Sequence, residues 1–177
     1  MDNVESNLSF KLMALSYKFR DFFQSRMDIL KEAEIKPGDH VLDYGCGPGS
    51  YIIPLAGLVG KKGIIYALDI HPLAIQMVQN IALKKQLTNV ETIYSDCKNG
   101  LPDNSIDVVL LYDVLHDLNN SDEVLEELHR VLKSNGILSV SDHHMKENEI
   151  VSKVVNRGLF GLTKRGKRTY SFSSKRQ

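Results

Sequence analysis

The sequence predicts an α/β protein, a three-layer sandwich around a seven-stranded, mostly parallel sheet that closes in a C-terminal antiparallel hairpin. Three observations carry this. Short apolar runs free of alternation, as in strands covered on both faces, recur between segments of helical periodicity. The first such run, in residues 41–51 (VLDYGCGPGSY), breaks into three alternate glycines and then becomes helical. Near the end, residues 159–164 and 169–172 read as two strands joined through Arg165-Gly166-Lys167. A chain of 177 residues, 42% apolar and 25% charged, suits one core-bearing unit.

Taken in order, residues 8–30 carry Leu8, Leu12, Leu15, Phe19, Phe22, Met27 and Leu30 at spacings of mostly three or four, a helical stripe expected to pack on the main domain. We expect residues 1–35 to form a helical lid, with Tyr17, Phe19, Phe22 and Phe23 as its contacts, ahead of a ligand-binding domain over residues 36–177. A turn at Lys36-Pro37-Gly38-Asp39 leads into a strand over residues 40–44. Gly45, Gly47 and Gly49 remove side chains where the backbone turns and a ligand approaches. The helix expected over residues 50–59 aims its free N–H groups at the same place. Residues 64–70 (IIYALDI) form a second strand ending in Asp69, whose two oxygens can take both hydroxyls of a ribose.

Residues 72–86 are helical, with Pro72 in the first turn, and residues 90–95 are a third strand before Asp96 and Cys97. The loop Leu101-Pro102-Asp103-Asn104-Ser105 feeds a fourth strand over residues 106–112. Ser121 is expected to cap a helix that Ser134-Asn135-Gly136 stops, followed by a fifth strand over residues 137–141 and a helix over residues 149–156.

The glycine spacing is G-x-G-x-G, one residue shorter than the dinucleotide pattern, and Asp43 sits awkwardly beside a pyrophosphate but suits a ligand with an amino group. VLDYGCGPG resembles the first motif of class I S-adenosylmethionine-dependent methyltransferases, and LPDNSIDVV resembles the loop into their fourth strand. The resemblance covers residues 37–173 and implies the Rossmann-like methyltransferase fold, with S-adenosyl-L-methionine as cofactor. It implies cofactor contacts from Asp43, Gly45, Cys46, Gly47, Gly49, Asp69, Ile70, Asp96, Cys97 and Tyr112. Asp96 would accept from the adenine amine, and the Cys97 backbone N–H would meet a ring nitrogen. The nearest branch is the small-molecule one that includes quinone-pathway C-methyltransferases. Arsenite methylation, which uses several thiols, fits poorly with two cysteines.

In-line methyl transfer depends first on positioning, and a base is needed only where the acceptor loses a proton. Residues just after strands four and five face the acceptor in such sheets, which collects Tyr112, Asp113, His116, Asp142, His143 and His144. His116 or His143 is the expected general base. No metal is expected, because adjacent His143 and His144 point differently along an extended segment.

Equal totals of 22 basic and 22 acidic residues exert no overall pull on nucleic acid or membrane, although acids concentrate in residues 103–130 and bases in residues 146–177. The basic end is read as a solvated edge. A nucleic-acid methyltransferase using that edge is disfavoured because Tyr112-Asp113-Val114-Leu115 stands where N-P-P-Y or D-P-P-Y is usual. A nicotinamide oxidoreductase is disfavoured by the glycine spacing and the terminal hairpin, and a non-catalytic cofactor-binding protein would use the same fold for partner contact. Two cysteines without a cluster, no membrane span and no signal-peptide core predict a cytoplasmic protein. The expected partner is a small-molecule acceptor, in a pocket either small or completed by a second copy as a homodimer.

Overall fold

The computed structural model describes residues 6–23 and 26–175, with side chains described for residues 6–16 and 26–175. Seven strands form one sheet: β1 (His40–Tyr44), β2 (Ile64–Asp69), β3 (Val90–Tyr94), β4 (Ile106–Tyr112), β5 (Leu132–Ser141), β6 (Phe160–Arg165) and β7 (Tyr170–Ser174). Their order is β3-β2-β1-β4-β5-β7-β6. The first five run parallel, and β7 enters antiparallel between β5 and β6. The strand order reverses between β1 and β4, which opens a crevice at their C-terminal ends, where ligands bind in open α/β sheets.

Alternation along the strands divides the core. Val41, Val108, Leu110 and Tyr112 pack with α2 (Met27–Glu32), α3 (Ile52–Val59) and α4 (Pro72–Lys85). Leu42, Tyr44, Val109 and Leu111 pack on the other side with α5 (Ser121–Val131) and α6 (Glu147–Val155). The period of two in the strands sends successive side chains to opposite layers.

Four features differ from the sequence reading. The N-terminal stripe is two helices, α1 (Asn7–Phe23) and α2, rather than one. Leu8, Leu12 and Leu15, expected to pack inward, are 70%, 62% and 65% exposed, whereas Phe10 and Ala14 are buried against Ala74, Leu73 and Met77 of α4. Asn120, not Ser121, is the N-cap of α5 and makes no side-chain capping bond. Ser134-Asn135-Gly136 stops no helix: α5 ends at Val131, Leu132 turns extended and pairs with Ile106, and the three residues lie inside β5 beside a register shift. Gly136 is needed there because a Cβ would lie 2.9 Å from the Asp107 carbonyl oxygen. The contacts expected of a lid, Tyr17, Phe19, Phe22 and Phe23, fall outside the residues whose side chains are described.

Candidate functional site

The glycine loop is shaped by backbone bonds to its neighbour strand. Gly45 and Cys46 both donate N–H to the Leu68 carbonyl, at 2.8 and 2.9 Å, and Gly49 donates back to the Cys46 carbonyl at 3.0 Å. Gly45 (φ 74°) lies in the left-handed region, and a Cβ there would overlap the Val114 side chain from the β4 end. Gly47 (φ 50°) differs: a Cβ would meet no protein atom and would enter the cavity instead. Its N–H donates to Asp69 Oδ2 at 2.8 Å, while Asp69 Oδ1 accepts from the His71 N–H at 2.7 Å. The end of β2 thus pins the loop, and burial raises the Asp69 carboxyl above its ordinary range.

Below the loop lies Asp43, buried to 2% exposure, with its Oδ2 unpartnered among the described residues. Burial and the nearby Asp69 carboxylate push its carboxyl up to about 7. A buried carboxylate oxygen without a donor fits a place that receives a donor or a cation. Burial also raises the Cys46 thiol, which suits a structural place in the loop rather than a nucleophile.

The cavity holds about 540 Å³, within the range that encloses a cofactor-sized ligand. Gly45, Cys46, Gly47, Asp69, Ile70, Asp96 and Tyr112, all expected from the sequence, are among its lining residues. Tyr112 is buried, its hydroxyl 2.8 Å from Ser139 Oγ, and burial raises its phenol. The cavity is also walled by Val114, His116, Asp117, Leu118 and Asn119, which follow β4.

Three expected cofactor contacts do not line the cavity, and one expected base does not either. Gly49 packs on α4, where a Cβ would lie 2.8 Å from Ile81 Cδ1, so its glycine serves helix packing rather than ligand approach. Asp43 sits beneath the loop. Cys97 stands aside, and its N–H donates to Ser95 Oγ at 3.2 Å, so that donor is turned inward. His143 is largely exposed, its Nδ1 2.7 Å from Asp113 Oδ1.

The β4 and β5 ends exchange two crossed His–Asp pairs. His116 Nδ1 lies 2.9 Å from Asp142 Oδ2, which also accepts the His116 N–H at 3.0 Å, and Asp142 Oδ1 accepts the His144 N–H. Asp142 is buried, so it orients the His116 ring; the other nitrogen, Nε2, is 3.2 Å from the exposed Asp117 carboxylate. Asp113 takes a left-handed φ of 55° and is held by both the N–H and the ring of His143. Among the described residues, no group of three His, Cys, Asp or Glu side chains is arranged to hold a metal.

Several lining residues escaped the sequence reading. Tyr44 donates its hydroxyl to the Asp96 carbonyl at 2.9 Å, tying β1 to the β3 loop. Phe10 and Met13 of α1 close one side, and Phe10 stacks on the buried His71 ring at 4.1 Å. His71 Nδ1 accepts from the Leu73 N–H and caps α4. An aromatic beside a predicted glycine loop was the available signal for Tyr44, and the helical phase of Phe10 gave none.

Comparison with known proteins agrees with this geometry. Residues 35–172 match the family model described as a methyltransferase domain. A demethylmenaquinone methyltransferase of Geobacillus sp. (strain WCH70) is 33% identical over 119 residues, 67% of this chain and 51% of that protein. One from Listeria monocytogenes serotype 4a is 30% identical over 142 residues, 80% of this chain and 56% of that protein. The chain therefore spans about half the length of the curated relatives it matches. A SAM dependent methyltransferase from Aquifex aeolicus superposes with a TM-score of 0.77 at 26% identity, covering 91% of this chain and 97% of that one. The chain belongs to the methyltransferase domain family, in its class I S-adenosylmethionine-dependent branch, and S-adenosyl-L-methionine is its cofactor.

Proposed function

We propose that the chain methylates a small, apolar ring acceptor, of which a demethylmenaquinone-like quinol is the leading class. The observation that carries this reading is one cavity lined both by the glycine loop with Asp69 and Asp96 and by His116, which buried Asp142 backs. Asp69 takes the ribose hydroxyls, Asp96 the adenine amine, and the loop around Gly45 and Gly47 the amino-acid end. Bound S-adenosylmethionine supplies an electrophilic methyl on a sulfonium. Residues 1–35 act as a lid, supported by Phe10 and Met13 on the cavity wall.

His116 is the general base. Removing the hydroxyl proton of a quinol ring enriches its carbons in electrons, and His116 takes that proton while Asp142 fixes the imidazole. The carbon that takes the methyl gives up its own hydrogen as a proton, and the ring oxygen is reprotonated, so one proton is released in all. His143 is assigned a positioning role through Asp113. Cavity walls from Phe10, Met13, Val114 and Leu118 favour an apolar acceptor. The relatives named for demethylmenaquinone support the same class. The nucleic-acid reading is weakened by the pairing of basic side chains on the C-terminal edge: Lys164 with Glu34, Arg165 with Glu147, and Arg157 with Glu126. Free thiols at Cys46 and Cys97 favour a cytoplasmic setting for the reaction.

The test is methyl transfer to a reduced short-chain demethylmenaquinone. His116→Gln is expected to lower kcat by about 10²- to 10⁴-fold with cofactor affinity retained, and His143→Ala to lower it far less. Equal turnover by His116→Gln and wild type would remove His116 as the base.

A further inference from the structure

α1 has two faces with different fates. Its inner face, through Phe10 and Met13, walls the cavity; its outer face presents Leu8, Leu12 and Leu15 to solvent at 70%, 62% and 65% exposure. Positions i, i+4 and i+7 share one side of a helix, so the three leucines form a single stripe. In the sequence, Phe19 and Phe22 continue the same spacing. Lys11, exposed, stands one turn from both Leu8 and Leu15. The α1 sequence holds Lys11, Lys18 and Arg20 against the single acid Asp21, in a chain whose net charge is zero.

We propose that this face lies on an anionic lipid bilayer, with Leu8, Leu12 and Leu15 in the boundary between headgroups and acyl chains and Lys11 among the phosphates. An apolar stripe flanked by bases is complementary to such a surface. Two copies of α1 packed side by side would instead bring like charges together along the stripe. No helix among the described residues is long and apolar enough to cross a membrane, so α1 rests on the surface rather than spanning it. Docking in this way sets α1 between the bilayer and the cavity that Phe10 and Met13 wall. The docking does not rest on the apolar acceptor proposed above.

The experiment is cosedimentation of the full chain with vesicles of equal parts phosphatidylcholine and phosphatidylglycerol, and with pure phosphatidylcholine. S-adenosylhomocysteine titration of every variant runs in parallel. Wild type is expected to partition onto the anionic vesicles, and Leu12→Asp to bind them about tenfold more weakly or worse. Lys11→Glu is expected to lose the preference for anionic lipid. Leu83→Asp, at an exposed leucine on α4, serves as the control and should behave as wild type. Wild type remaining in the supernatant, or Leu12→Asp sedimenting as wild type does, would overturn the proposal. So would a solution dimer that Leu12→Asp dissociates, which would assign the face to a second copy. Vesicle binding without S-adenosylhomocysteine binding would leave the docking standing and remove the methyl-transfer reading.

Discussion

Asp43 shows how one buried residue can oppose stability. Its carboxyl is buried, has one unpartnered oxygen and is pushed up to about 7. In the unfolded chain an aspartate titrates near about 3.9. Between those values folding takes up a proton, so this residue's contribution to stability is fully present below the unfolded value and is lost as pH rises toward 7. The slope is roughly 1.4 kcal/mol per pH unit at most. Asp43→Asn, which cannot ionise, is expected to match wild type in urea unfolding near the acid end of this window and to exceed it above neutrality. A difference between Asp43→Asn and wild type that stays flat through the same window would contradict the assignment. At Gly45, substitution by Ala is expected to cost about 1–3 kcal/mol, from the left-handed φ and the overlap with Val114, read as a lowered midpoint in thermal unfolding.

At the scale of elements, α1 is attached to the domain through a small cluster, Phe10 and Ala14 on Ala74 with the Phe10–His71 stack. Truncating Phe10 removes most of that attachment. Phe10→Ala is therefore expected to speed hydrogen exchange across residues 7–16 and to weaken cofactor binding, while the strands keep their protection. Uniform loss of protection across the sheet would show that α1 is part of the main cooperative unit. The phase of α1 was not legible in the sequence. Seven apolar residues at helical spacing read as a buried stripe, yet the inward face is the one with Phe10 and Ala14. Periodicity locates an apolar face without saying what it faces. The end of α5 misled for a related reason: Ser134-Asn135-Gly136 has stop-signal chemistry, but pairing of Leu132 with Ile106 draws the chain into β5 earlier. A tertiary contact overrides a local signal there.

For the whole molecule, the sheet was the most legible part. Unbroken apolar runs such as IIYALDI and IDVVLLY announced covered parallel strands, and the terminal pair announced the hairpin that completes the order β3-β2-β1-β4-β5-β7-β6. That the glycine loop and the acid ending β2 would line one cavity was legible too, because both follow from local chain geometry. The part of the cavity after β4 was less so. His116 and His143 were equivalent in sequence, and only the folded strand ends show His116 on the cavity with Asp142 behind it and His143 exposed against Asp113.

The central claim is that one cavity binds S-adenosylmethionine through the glycine loop and Asp69. Its most direct test is calorimetric titration of S-adenosylhomocysteine and of NAD into wild type and Asp69→Asn, with the unliganded thermal midpoint of each protein measured alongside. We predict that S-adenosylhomocysteine binds wild type and NAD does not, and that Asp69→Asn weakens the first by about tenfold or more while remaining folded. Binding of NAD in preference, or undiminished S-adenosylhomocysteine affinity in Asp69→Asn, would contradict it.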